Sequence, residues 1–80
     1  MSQKENRLGE LLHKQAAHNS SSEEGYQAYL RYLQREIAWE TGQSAHRVTN
    51  WIQNKSQPSV AEAKVIADRL DLKTDDLWSL

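Results

Sequence analysis

The residue order predicts an all-α fold, a compact bundle of about five helices, and three observations carry that expectation. Apolar residues recur at spacings of three and four along nearly the whole chain, and no stretch alternates with the period of two that a strand needs. Helix-capping residues and turn-formers fall between the periodic segments rather than inside them. Cysteine is absent from the 80 residues, so no disulfide or thiolate metal site can staple the fold. A chain this short buries only about 60% of the surface its unfolded form exposes, which leaves the packing of helices to do the rest.

The elements follow in order. A first helix is predicted from about Lys4 to His18, with Leu8, Leu11, Leu12 and Ala16 on one face. Asn19-Ser20-Ser21-Ser22 supplies N-cap candidates, and Glu23 and Glu24 behind it suit the positive end of a helix. A long second helix then runs from about Glu23 to Thr41, because Tyr26, Tyr29, Leu30, Leu33 and Ile37 keep helical spacing and no breaker intervenes before Gly42. Gly42 suits a left-handed helix end, and Ser44 caps a third helix from Ala45 to about Gln53 that turns Val48, Trp51 and Ile52 inward. Asn54 closes that helix. After the loop Ser56-Gln57-Pro58, Ser59 and Glu62 form a capping box for a fourth helix with Ala61, Val65, Ile66 and Leu70 as its apolar face. Thr74, backed by Asp75 and Asp76, starts a short last helix through Leu77-Trp78-Ser79-Leu80. Residues 1–80 are read as one domain, with 1–22 an N-terminal helix and Ser-rich turn and 23–80 the core.

Composition removes several function classes. No run approaches a membrane span, and the opening MSQKENR lacks the apolar run of a signal peptide, so the expectation is a cytoplasmic protein with no membrane partner. His13 and His18 are five apart and fall on different helix faces, without a carboxylate or thiol to complete a metal set. The isolated Gly9, Gly25 and Gly42 form no phosphate loop, and nothing places a serine beside a histidine for nucleophilic attack. No enzyme activity, metal or cofactor is predicted. The net charge is −1, but its distribution is uneven. Tyr26 to Lys55 holds Arg31, Arg35, Arg47 and Lys55 against Glu36 and Glu40, whereas Ser56 to Leu80 is acidic. Trp51 is a core residue by its register, and Trp39 falls off the main apolar stripe, free to pack on the first helix or on a partner.

The third helix carries the chemistry. His46, Thr49, Asn50 and Gln53 lie at i, i+3, i+4 and i+7, a stripe of hydrogen-bonding groups opposite the apolar Val48, Trp51 and Ile52. Such a helix can enter a DNA major groove and read base edges, provided a second helix braces it against the backbone. Arg47 and Lys55 flank the stripe where cations reach phosphates. The same stripe, taken alone, is also what an ordinary solvated helix face looks like.

The flanking residues add a resemblance. Ala38 and Gly42, four apart, Val48 and Trp51, the loop Lys55-Ser56-Gln57-Pro58-Ser59, and the segments Val65-Ile66-Ala67-Asp68-Arg69-Leu70 and Asp75-Asp76-Leu77-Trp78 make residues 34–78 similar to the Cro/repressor-type, lambda-repressor-like helix-turn-helix domains. That resemblance implies a sequence-specific double-stranded DNA-binding regulator, a repressor of a phage, mobile-element or bacterial operon, acting as a homodimer on a palindromic operator. It implies base-reading roles for Ala45, His46 and Asn50, with Thr49 and Gln53 on the same edge. It implies phosphate contacts for Gln34 and Ser44, with Arg47 and Lys55 beside them. The chain departs from the family at Thr41 and Gln43, where aliphatic residues are usual, at Asn54 and Asp71, where glycines are usual, and upstream of Gln34, where a short turn is usual. The rival reading is a protein-interaction module on the same scaffold, an antitoxin or antirepressor, which the acidic C-terminal part would suit. For a dimer, the apolar end Leu77, Trp78 and Leu80 is the expected interface.

Overall fold

Among the described residues serine begins three of the four α-helices, and each does so by the same bond. In the computed structural model, which describes residues 5–78, the helices are α1 (Leu8–His18), α2 (Glu23–Thr41), α3 (Ala45–Ile52) and α4 (Val60–Arg69), followed by one 3-10 turn, Thr74–Leu77. Ser22, Ser44 and Ser59 each accept at Oγ from the N–H three residues on, those of Gly25, Arg47 and Glu62, at 3.0–3.1 Å. Ser59 N–H in turn donates to the Glu62 carboxylate at 2.8 Å, completing the capping box.

Three helices also end alike. The residue after the last full turn is left-handed, Gly42 at φ 69°, Asn54 at φ 59° and Asp71 at φ 58°. In each case the following N–H reaches back across the end: Gln43 to Ala38 O, Lys55 to Asn50 O and Leu72 to Ala67 O. The bond pattern is one and the residue differs, so the glycine preference of this position is not absolute here.

α1 begins later than its periodicity suggests. Lys4 lies outside the described residues, and Arg7 is non-helical, at φ −103° and ψ 18°. The cause is Asn6, which is 6% exposed. Its Oδ1 accepts from Leu8 N–H at 2.8 Å, while its Nδ2 donates to Trp51 O at 3.0 Å and to Gln57 Oε1 at 2.6 Å. Asn54 completes the cluster by accepting from Asn6 N–H and donating to Asn6 O. The chain must stay non-helical to lay Asn6 against the end of α3. Beside it, Arg7 and Glu10 hydrogen-bond at 3.0 Å, which raises the guanidinium above and holds the carboxyl below its ordinary range, Lys14 adding to the latter.

The core is one cluster. Leu8 and Leu12 of α1, Leu33, Ile37 and Ala38 of α2, Val48 and Trp51 of α3, Ala63, Ile66 and Ala67 of α4, its cap Leu70, and Leu77 are all buried in it. α2 runs along α1, α3 and α4, so the long helix is the spine. A Cβ on Gly9 would lie 3.3 Å from the Ile52 side chain and carbonyl, which is how closely α1 crosses the end of α3.

Two expectations about faces are corrected. Ala61 is exposed, and α4 instead buries Ala63, Ile66, Ala67 and Leu70, a rotation that sets two small residues in the core beside α2. Leu77 is buried in its own core rather than left as a free apolar end, and Trp78 is half-buried against it; Ser79 and Leu80 lie outside the described residues. The last element is a single 3-10 turn. Among the described residues no helix is long and apolar enough to cross a membrane.

Candidate nucleic-acid interface

Burial divides α3 into two stripes. Val48 and Trp51 are sealed in the core and Ile52 is packed against it, while Ala45, His46 and Arg47 are exposed and Thr49 and Asn50 half-exposed. Gln53 is not the last helical residue but its cap, at φ −86° and ψ 1°; its N–H still bonds Thr49 O at 3.0 Å, which keeps it at the end of the same exposed edge. At 1.5 Å per residue the eight helical residues span about 12 Å.

The donors and acceptors on that edge are not equally free. Thr49 Oγ1 donates to Ala45 O at 3.0 Å, so its hydroxyl can only accept from outside. Ser44 Oγ accepts from Arg47 N–H in its cap bond, which leaves its O–H able to donate. The Asn50 amide makes no hydrogen bond among the described residues, although its backbone carbonyl receives Lys55 N–H and Ser56 N–H. His46, Asn50 and Gln53 therefore offer imidazole and amide groups with full hydrogen-bonding capacity.

Electrostatics sharpen the picture given by the net charge. Within Tyr26–Lys55, the side chains of Arg31, Arg35, Arg47 and Lys55 form no ion pair among the described residues. Of the two anions in that segment, Glu36 is paired with Arg69 at 3.4 Å, leaving Glu40 alone to offset four cations. The chain as a whole is slightly acidic, but within Tyr26–Lys55 the charge left outside ion pairs is positive.

The turn before α3 is fixed by polar bonds where aliphatic residues would otherwise pack. Thr41 Oγ1 donates to Ile37 O at 2.7 Å, and Gln43 Nε2 donates to Glu62 Oε2 at 2.7 Å, tying the turn to the start of α4. Behind α3, the Asn6–Asn54–Gln57 cluster ties its end to the N-terminal segment. Neither tie is legible in the sequence, because side-chain pairings between residues 19 or more positions apart leave no local pattern.

Ala45, His46, Thr49, Asn50 and Gln53 thus share one edge, and Ser44, Arg47 and Lys55 border it. Gln34 does not open a helix. It is the twelfth residue of α2, half-buried, with its main-chain N–H inside the helix rather than at a free end. Only its side chain is available to a phosphate. Sequence reasoning also passed over the outward stripe Arg31, Arg35 and Trp39, although its i, i+4, i+8 spacing opposite Leu33 and Ile37 was visible. His13 Nδ1 contacts the Tyr26 hydroxyl, and no group of three or more metal-binding side chains occurs among the described residues.

The chain matches no family model, no curated protein and no solved structure.

Proposed function

We propose that this protein is a sequence-specific regulator that binds double-stranded DNA, with α2, the Gly42 turn and α3 acting as a helix-turn-helix and α3 lying in the major groove. The observation that carries the reading is the uncharged edge His46, Asn50 and Gln53, exposed or half-exposed opposite the buried Val48 and Trp51. Amide side chains pair with adenine in bidentate fashion, and Ala45 can meet a thymine methyl. The unpaired Arg47 and Lys55 supply the phosphate contacts that position such an edge.

One α3 reads few base pairs, so a homodimer on a palindromic operator is the route to affinity. With that arrangement the protein occludes its site, as a repressor of a phage, mobile-element or bacterial operon does. The experiment is a mobility shift on the palindromic DNA upstream of its own gene. The reading predicts a complex whose affinity falls steeply as salt rises, with two chains per site by light scattering. No complex at low salt would contradict it, and a protein-interaction role on the same scaffold would then take its place.

A further inference from the structure

The outward stripe of α2 holds three side chains that this reading leaves unused. Arg31, Arg35 and Trp39 stand one turn apart, opposite Leu33 and Ile37, and all are exposed, Trp39 at 83%. They cover about 12 Å of helix. Neither guanidinium has an ion pair or hydrogen bond among the described residues. Of the acids near the stripe, Glu36 is paired with Arg69, Glu62 accepts at both oxygens from Gln43 and Ser59 N–H, and Glu40, next to Trp39, is exposed with no ion pair among the described residues, so two free guanidinium groups face one free carboxylate on this part of α2. The stripe leads to an open concavity lined by Arg35, Trp39, Gly42 and Ala45, so it is continuous with the first residue of α3.

The length of α2 gives the stripe its purpose. A helix that started at Gln34 would aim a free, partly positive end at a phosphate. Here that end is eleven residues earlier, at Glu23, and its first turn carries Glu23 and Glu24, which repel an anion. Arg31 and Arg35 flank Gln34 on the same helix and restore positive charge at that level. A guanidinium grips phosphate oxygens through a two-pronged fork. Trp39 adds an apolar face for a deoxyribose and an indole N–H that can only donate, as a phosphate requires.

We propose that Arg31, Arg35 and Trp39 form a second DNA track that holds the phosphodiester strand bordering the segment read by α3. This rests on the DNA-binding reading above. It assigns to the extended helix a backbone contact in place of the helix-end contact that its length removes.

The test is the salt dependence of the full-length protein on a duplex it binds. Arg31→Gln/Arg35→Gln should lower the slope of log affinity against log salt by about 1.8, with the preferred sequence unchanged, while Arg31→Lys/Arg35→Lys should keep the parental slope. Trp39 is the most exposed of the three tryptophans, so acrylamide quenching of the free protein reports largely on it. DNA should shield that quenching, and the shielding should vanish in Trp39→Phe. A parental slope in the Gln double variant, or a Trp39 quenched equally in free and bound protein, overturns the track while leaving the DNA reading in place. Failure of the parent protein to bind any duplex overturns both.

Discussion

Asn50 and Arg47 sit three residues apart on α3 with different chemistry to offer. The Asn50 amide is unbonded among the described residues and can satisfy a base edge with both donor and acceptor. Arg47 is exposed beside the edge and presents only charge and donors. Asn50→Ala is therefore expected to cost about 1–3 kcal/mol of binding and to relax specificity at one base pair. Arg47→Ala should weaken all sequences alike and reduce the salt slope by about 1. Titrations of both variants on specific and random duplexes at several salt concentrations separate the roles; equal loss on both duplexes for Asn50→Ala would reject base reading. Asn6 works through the fold instead. Removing its amide takes the side-chain bond from Leu8 N–H at the start of α1 and leaves Trp51 O and Gln57 Oε1 short of a partner, while the Asn54 bonds, made to the Asn6 main chain, remain. Asn6→Ala is expected to destabilise the protein by about 2–4 kcal/mol, the sum of a lost cap and an uncompensated buried polar site. Thermal unfolding measures this, and a melting temperature within a degree or two of the parent would contradict it.

At the scale of elements, the left-handed helix ends offer a paired comparison. Asn54 and Asp71 occupy the same position after α3 and α4, at nearly the same φ. Asp71 is exposed, and its side chain has no hydrogen bond among the described residues, so Asp71→Gly relieves the left-handed strain and should stabilise the fold by about 0.5–1 kcal/mol. Asn54 gains the same relief as glycine but forfeits its bonds to Asn6 and Gln57. Asn54→Gly should therefore destabilise, by about 1–2 kcal/mol. Chemical denaturation of both variants checks the opposite signs, and an Asn54→Gly as stabilising as Asp71→Gly would mean the side-chain cluster contributes nothing. These ends also show what the sequence made legible. Ser22, Ser44, Ser59, Gly42 and Asn54 act through bonds within a few residues, so the bounds of α2, the start of α3 and the capping box of α4 could be read directly. The late start of α1 and the rotation of α4 could not, because each depends on what lies across the core: Asn6 on the end of α3, and Ala63 and Ala67 beside α2.

At the scale of the whole molecule, α2 decides how the rest is arranged. It spans 19 residues, touches every other α-helix, and carries the core stripe on one side and Arg31, Arg35 and Trp39 on the other. The exposed edge of α3 was visible as a pattern, but its setting was not. The net charge of −1 conceals a positive balance within Tyr26–Lys55, because ion pairing with Arg69 removes Glu36 from that segment's sum. Of the apolar C-terminal residues expected at a dimer interface, Leu77 is buried in the chain's own core and Trp78 is half-buried beside it, while Leu80 lies outside the described residues. The central claim is that the α3 edge reads base sequence, and selection of bound duplexes from a random pool tests it most directly. The account predicts enrichment of a palindromic site whose half-sites contain adenine–thymine pairs at the positions facing Asn50 and Gln53. Recovery of DNA with no preferred sequence, or of none at all, would contradict it.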